Sequence, residues 1–241
     1  MKNPYVRILI ASALFTLLTS TLTASAMTIQ RANDVLLLSG KVVKEDLKSF
    51  RSELAQGDVS LVILAESPGG DIGAAYGIAD IIRKRQIKTG VYGACSSSCA
   101  LMFMGGVERQ MVAGEKLKLT RLGFHGPHKK GTKEISEEGA PRLRDWLYVA
   151  SDKKFDGELL DTAMFINNPN DMLLFYYPKA EQNSVYFCPE GAKPRPTACK
   201  VLSGQDALQS GILTSLELIQ TEKLIPNKVS IPSSKEPAEI Q

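Results

Sequence analysis

Histidine is scarce in this sequence, and so are the features that mark membrane-spanning and nucleic-acid-binding proteins. The 241 residues include two histidines, His125 and His128, and the 29 basic and 26 acidic side chains leave a formal net charge of +3. This balance argues against a dedicated nucleic-acid-binding protein, which carries a stronger positive charge. We find no internal repeat. An imidazole base, the usual one near neutral pH, must therefore be one of two residues.

The N-terminus has the pattern of a secretory signal peptide. A positively charged start precedes a mainly apolar run over residues 8–22, and residues 24–26 (Ala-Ser-Ala) supply a cleavage site. A transmembrane anchor is the alternative, but the run contains several serines and threonines and is short for a span of roughly 20 apolar residues. We expect a signal peptide over residues 1–26, an exported α/β domain over 27–224 and a solvated tail over 225–241. No later segment is long and apolar enough to be an integral membrane segment.

The four cysteines, Cys95, Cys99, Cys188 and Cys199, all follow the expected cleavage site. An even number of cysteines in an exported chain favours disulfides, and three pairings are possible. The spacing favours Cys95–Cys99 and Cys188–Cys199. Zinc binding is the alternative, but only the first pair has the short gap of a zinc knuckle. Oxidation also argues against a free nucleophilic thiol at Cys95 or Cys99, so we expect two disulfides and no metal.

Buried strands and amphipathic helices alternate through the first half of the domain. Apolar runs predict strands at residues 35–40, 60–65 and 88–92, and helical periodicity predicts helices between them. This rhythm is typical of βαβ units and predicts a mostly parallel sheet flanked by helices. Further along, the pattern favours helices over 134–151 and 156–167, then two strands, 172–177 and 184–187, which could form a hairpin.

Two turns fall at the carboxyl ends of predicted strands, where α/β folds place their sites. Pro68-Gly69-Gly70 follows one strand, and Ser96-Ser97-Ser98 follows another. A serine hydroxyl becomes a nucleophile when a neutral imidazole accepts its proton. Glycines allow a backbone N–H to approach a developing oxyanion, and a serine at a helix start gains a second N–H donor from the next residue. A turn serine, a glycine turn and a histidine are the parts of acyl-transfer chemistry.

The order of these motifs resembles that of the ClpP/crotonase superfamily, which includes the Clp-type serine peptidases. Ser67-Pro68-Gly69-Gly70 resembles the oxyanion turn of that family, residues 93–100 its nucleophile turn, and residues 121–127 its base strand. The resemblance covers roughly residues 35–214. The Cys-x-Ser-x-Cys turn with a later Gly-Phe-His is also similar to exported Clp-peptidase-like proteins described as predicted periplasmic proteins.

This resemblance implies a spiral fold of repeated ββα units and a role for each of four residues. It places Ser97 at the nucleophile position and His125 at the base position. It also assigns the N–H groups of Gly70 and Ser98 as the donors of the oxyanion hole. Ser96 and Ser98 are the local rivals to Ser97 as nucleophile.

One part of the family pattern is missing. The family carries its acidic triad member just before a late Leu-Ser-x-x-Glu-Ala helix, where this chain has Cys199-Lys200-Val201. Asp171 is the best substitute because a triad is defined by geometry and not by chain order. An ordinary turn residue is the simpler interpretation of Asp171. We interpret His128 as a surface residue beside two lysines.

The sequence therefore predicts an exported serine hydrolase that cleaves a peptide or protein, or less readily an ester. It implies no cofactor, metal or nucleic acid. The resemblance allows a homo-oligomer, since Clp-type peptidases form rings and crotonases form trimers. A catalytically impaired binding or scaffold protein on the same fold is the alternative, motivated by the missing carboxylate. Acyl-CoA chemistry is a third hypothesis, disfavoured because coenzyme A is a cytosolic carrier.

Overall fold

A mixed β-sheet with helices packed against it organises the protein. The computed structural model describes residues 26–180, 183–189, 199–202 and 204–220. The expected signal peptide, apart from Ala26, and the expected tail lie outside these residues. The elements are β1 (Thr28–Ala32), β2 (Val35–Ser39), α1 (Asp46–Leu54), β3 (Leu61–Ser67), α2 (Ile72–Lys84), β4 (Lys88–Ser96), α3 (Ser98–Met104), β5 (Arg109–Met111), β6 (Arg121–Phe124), α4 (Gly139–Ala150), α5 (Gly157–Met164), β7 (Met172–Tyr176), β8 (Val185–Cys188) and β9 (Lys200–Val201).

The strand order is β1-β2-β3-β4-β6-β7-β8-β9, with β5 also paired to β4. The pairings among β2, β3, β4, β5 and β6 are parallel, as the alternation of strands and helices predicts. The expectation of a mostly parallel sheet was nevertheless wrong, because four of the eight pairings in the described residues are antiparallel. Only two residues join β1 to β2, and so short a connection permits only antiparallel strands. The spiral of ββα units stays a prediction.

The C-terminal half of the sheet contains the hairpin that the sequence indicated. In it, β7 pairs antiparallel with β8, with Leu174 opposite Tyr186. On its other side β7 pairs with β6, with Leu173 opposite Phe124. Phe124 and Phe175 also pack edge to face, with ring centroids 5.9 Å apart. These contacts fix the end of β6, the strand that leads into His125.

The main core lies where α2 and α3 pack against each other and the sheet. Asp71 caps α2 by accepting a hydrogen bond from the N–H of Ala74, at 2.7 Å. The buried stripe of α2 includes Ala75, Ile78 and Ile82, all fully enclosed. Every residue of α3 is buried. Because α3 is held in this way, the turn that leads into it has a fixed position at the edge of the core.

Two disulfides join the four cysteines, and the predicted pairing is confirmed. Cys95 and Cys99 are bonded at 2.05 Å across the β4–α3 turn. Cys188 and Cys199 are bonded at 2.02 Å and link β8 to the start of β9. A cysteine in a disulfide has no thiolate to offer a metal ion, so this pairing is incompatible with the alternative of a zinc site. Within the described ranges, none of the helices has the length and apolar character needed to cross a membrane.

Candidate active site

Ser97 occupies a sharp turn between β4 and α3, with φ 56° and ψ −124°. A positive φ is uncommon for a residue with a side chain and marks a position that its surroundings enforce. The N–H of Ser97 donates to the carbonyl of Gly123 on β6, at 2.8 Å, and its own carbonyl accepts from the N–H of Leu101 at 3.1 Å. Hydrogen bonds to β6 and within the first turn of α3 therefore hold the backbone of Ser97 in this conformation.

The glycine turn lies directly against the serine turn. Gly69 has φ +86°, and a Cβ there would come within 2.5 Å of the Ser96 carbonyl oxygen and 2.8 Å of the Ser98 nitrogen. Val42 fixes the turn from the other side, since its N–H donates to Gly69 and its carbonyl accepts from Asp71, both at 2.9 Å. Only glycine fits this contact, both for its backbone angle and for the space available.

Two backbone N–H groups beside this contact have no acceptor among the described residues: those of Gly70 and Ser98. The Ser98 hydroxyl donates to the Gly70 carbonyl at 2.9 Å. This hydrogen bond joins the glycine turn to the start of α3 and fixes the orientation of the Gly70 carbonyl. Unsatisfied N–H groups beside a candidate nucleophile are the donors that an oxyanion hole requires.

His125 follows the last residue of β6 and reaches the serine. Its Nε2 lies 2.8 Å from Ser97 Oγ. The pairing of Ser96 with Gly123 aligns the ends of β4 and β6, and this alignment brings together two residues that are 28 positions apart. A serine hydroxyl that donates to an imidazole is the pair that nucleophilic catalysis requires.

The environment of His125 keeps its ring neutral. Burial, which disfavours the charged form, and then the nearby His128 lower the pKa of His125 to about 4. The Gly126 backbone has a smaller opposing effect on this pKa. The Nδ1 atom of His125 is buried and has no hydrogen-bond partner of acceptable geometry among the described residues. At neutral pH the ring is therefore neutral, and in the tautomer with its proton on Nδ1, Nε2 accepts the hydrogen bond of the Ser97 hydroxyl.

Asp171 is not hydrogen-bonded to His125. It immediately precedes β7, and its N–H donates to the Asn168 carbonyl at 2.9 Å, which closes a turn before the strand. Since Nδ1 of His125 has no partner, the expected Asp–His contact is not made. The structure brings together Ser97, His125, Gly70 and Ser98 but does not add Asp171 to them.

The other serines of the turn have different surroundings. Ser98 is buried, and its hydroxyl is committed to Gly70. Ser96 belongs to β4 and pairs with Gly123. Neither hydroxyl is hydrogen-bonded to a histidine, whereas that of Ser97 is. Sequence reasoning missed the positioning role of Ser98, and a hydroxyl one residue into a helix gives no signal for it.

His128 is half-buried and makes contacts that its interpretation as a surface residue did not include. Its Nδ1 lies 3.1 Å from the Gly126 carbonyl oxygen, and its Nε2 lies 2.9 Å from that of Ile166. The ring also stacks on His125, with centroids 6.0 Å apart. The neighbouring lysines in the sequence suggested exposure, but Gly126 and Pro127 turn the chain back so that the two rings meet.

A pocket of about 190 Å³ opens beside the Ser97–His125 pair. Apolar side chains from three helices, Ile72, Leu101 and Leu143, form part of its wall. A larger cavity of about 770 Å³ lies beside residues 200–202, away from Ser97 and His125. We assign the chemistry to the smaller pocket because the reactive groups line it. Over the described stretches, no three His, Cys, Asp or Glu side chains are arranged to hold a metal ion.

No family model and no curated protein sequence matches this chain. The chain is similar to solved protease structures, among them ClpP1 from Listeria monocytogenes, with 16% identity, a TM-score of 0.49 and coverage of 78% of this chain and 91% of that one. The ClpP catalytic domain from Plasmodium falciparum has 17% identity, a TM-score of 0.47 and coverage of 83% and 89%. A membrane-bound stomatin-specific protease has 12% identity, a TM-score of 0.40 and coverage of 54% and 67%. The identities are low, and these likenesses concern the fold alone.

Because Gly69 lies so close to the serine turn, we expect a methyl group at this position to destabilise the protein strongly. Gly131 is a matched control because it has a similar backbone, φ +76°, with open space around it. We expect Gly131→Ala to lower the free energy of unfolding by about 1–2 kcal/mol through its backbone angle. Gly69→Ala should cost about 1–3 kcal/mol more, because backbone atoms must also move. Urea unfolding measures both, and equal losses would contradict the close contact.

Proposed function

We propose that this protein is an exported serine peptidase of the ClpP type in which Ser97 is the nucleophile and His125 the general base. The observation that carries the proposal is the 2.8 Å contact between Ser97 Oγ and Nε2 of His125. The lowered pKa of His125, about 4, leaves the ring unprotonated at neutral pH, which a general base must be before it accepts a proton.

The reaction follows from the positions of these groups. Ser97 Oγ attacks the substrate carbonyl while its proton passes to His125 Nε2, and the developing oxyanion binds the N–H groups of Gly70 and Ser98. The imidazolium then gives this proton to the leaving amine as the C–N bond breaks, which leaves an acyl group on Ser97. Water, deprotonated by His125, attacks the acyl carbonyl, and the proton returns to Ser97 Oγ as the acid product leaves.

The catalytic unit in this proposal is a dyad. Because Nδ1 has no acceptor among the residues that the structure describes, no carboxylate there supports the imidazolium form of His125. A base with so low a pKa also has a weak driving force for proton transfer. We therefore expect slow turnover, and we assign no proton-transfer step to Asp171. Substitution of Asp171 tests this assignment directly.

Export is part of the proposal and is supported by the cysteines. Both cysteine pairs are at disulfide distance, which fits an oxidising compartment. The signal-like N-terminus indicates the same destination. A peptide or protein is the proposed substrate, and a homo-oligomer is compatible with the fold.

A binding protein on the same fold is the second candidate. The unpartnered Nδ1 of His125 favours it, because a histidine without an orienting acceptor lacks a common feature of hydrolytic sites. The two candidates differ in the reactivity of Ser97, since a binding protein has no need of an activated hydroxyl.

Covalent labelling by a fluorophosphonate distinguishes these candidates. We expect the wild-type protein to be labelled at Ser97 and Ser97→Ala to be unlabelled, because the probe reacts with an activated serine. His125→Ala should slow labelling by about 10²- to 10⁴-fold, the usual contribution of a general base. Asp171→Asn should change the rate only slightly. Peptide mass mapping after labelling locates the adduct.

Ser96→Ala is the matched control, since it removes the adjacent hydroxyl from the same turn. This variant should label at close to the wild-type rate. Absence of labelling in the folded wild-type protein, or labelling that persists in Ser97→Ala, would remove the peptidase proposal and favour the binding protein.

The two disulfides make a second comparison possible. Cys95→Ala/Cys99→Ala and Cys188→Ala/Cys199→Ala should each lower the free energy of unfolding by about 2–3 kcal/mol. Only the first pair brackets Ser97, with a separation of four residues. Its removal should slow fluorophosphonate labelling by about 10²-fold, the effect of a small misplacement of a reacting group. Equal labelling rates in the two double variants would show that the Cys95–Cys99 disulfide does not position the serine.

A further inference from the structure

The surroundings of His128 favour its doubly protonated form. Its two ring nitrogens both face backbone carbonyl oxygens, those of Gly126 and Ile166. A carbonyl oxygen only accepts hydrogen bonds, and a neutral imidazole has a single N–H to donate. Both contacts are therefore hydrogen bonds only when the ring is an imidazolium. A neutral His128 satisfies one carbonyl and places a lone pair against the other.

The position of His128 near a helix end supports the same conclusion. Helix α5 ends at Met164, and Ile166 lies two residues beyond it. The C-terminus of a helix carries a partial negative charge that attracts cations. The segment after β6 is also tied to this end, since the N–H of Gly126 donates to the Ala163 carbonyl at 3.0 Å. The loop that carries both histidines is thus docked on the end of α5.

The other charged groups nearby have their own partners. Lys129 Nζ lies 3.0 Å from Glu134 and 3.3 Å from Glu137. On the helices packed beside the loop, Arg144 of α4 pairs with Asp161 of α5. Asp171 precedes β7, the strand beside β6. His125 is the titratable group in ring contact with His128, and these two are the titratable side chains that line the pocket.

We propose that His128 is a positioning residue whose imidazolium form ties the His125 loop to the end of α5 and keeps His125 neutral in mildly acidic solution. This inference rests on the proposed function, in which a neutral His125 is the base. Protonation of His128 turns both of its carbonyl contacts into hydrogen bonds, whereas His125 Nδ1 has no such partner among the described residues. The resulting positive charge, one ring away, opposes a second protonation and so preserves the base.

The sign of the effect on His125 follows from Coulomb's law. A cation beside a histidine stabilises the neutral ring and lowers its pKa, and His128 contributes to the lowered pKa of His125 in this way. Removal of the cation must therefore raise the pKa of His125. At a separation of 6.0 Å, the expected rise is about half a unit to one unit, for dielectric values between that of water and about 40. Burial, which is the larger cause of the lowered pKa of His125, remains when the cation is removed.

Nuclear magnetic resonance of histidine labelled with ¹⁵N tests the proposal directly, because the chain has two histidines. In the wild-type protein, the titration should show both His128 nitrogens protonated over an interval in which His125 remains neutral. His128→Gln should raise the midpoint of the His125 titration by the rise in pKa given in the preceding paragraph. His128→Lys, which restores a positive charge, should keep the midpoint close to that of the wild type.

Lys129→Gln is the matched control, since it removes the neighbouring positive charge. It should leave the midpoint of His125 unchanged. An unchanged midpoint in folded His128→Gln, or the same rise in Lys129→Gln, would overturn the proposal. If His128→Gln fails to fold, the wild-type titration decides alone, and protonation of His125 before His128 would overturn the proposal.

Fluorophosphonate labelling separates this inference from the proposed function. In His128→Gln the labelling rate at about pH 4.5 should fall roughly two- to fourfold relative to its own rate at neutral pH, because more of His125 is protonated. A midpoint that moves in a protein that is never labelled supports the coupling of the histidines and contradicts the peptidase. A labelled protein whose midpoint does not move contradicts the coupling and supports the peptidase.

Discussion

The backbone of Ser97 is the constraint on which the candidate site depends. A residue with a side chain is held at φ 56° between a buried helix and the central strand of the sheet. Three contacts enforce this conformation: the glycine turn pressed against it, the disulfide across it, and the hydrogen bond from its N–H to β6. Together they turn the Ser97 hydroxyl toward His125 and leave the N–H groups of Gly70 and Ser98 without acceptors in the segments that the structure describes.

The histidine pair adds an electrostatic constraint of the opposite kind. The serine turn is fixed by packing and covalent bonds, whereas the protonation of His125 is set by its burial and by the ring of His128 beside it. Within the part of the chain that the structure describes, Nδ1 of His125 has no hydrogen-bond partner. A triad carboxylate stabilises the imidazolium and strengthens the base. Here the surroundings instead favour the neutral ring. In the proposed mechanism, His125 is therefore a base that is available over a wide pH range but accepts a proton weakly.

Much of this arrangement could be predicted from the sequence because its signals are local. Gly69, Ser97 and the two central cysteines lie in short motifs with defined turn chemistry, and strand order brings them to one edge of the sheet. Apolar runs likewise indicated β2 and β3. The antiparallel flanks were harder, because short apolar strands look alike in parallel and antiparallel sheets and only the connection lengths distinguish them.

The contacts of His128, Ser98 and Asp171 could not be predicted, because each depends on where a distant segment lies. His128 contacts the end of α5, 38 positions away, and Ser98 contacts Gly70, 28 positions away. The family pattern suggested a carboxylate, but it did not show whether Asp171 would reach the ring. Such long-range polar contacts are set by tertiary packing and produce no periodic pattern in the sequence.

The central claim is that Ser97 is an activated nucleophile facing a backbone oxyanion hole. A crystal structure of the protein after reaction with a fluorophosphonate tests it most directly. We predict phosphorus bonded to Ser97 Oγ and a phosphonyl oxygen about 3 Å from the nitrogens of Gly70 and Ser98. An adduct on another residue, or a phosphonyl oxygen directed away from both N–H groups, would contradict the account.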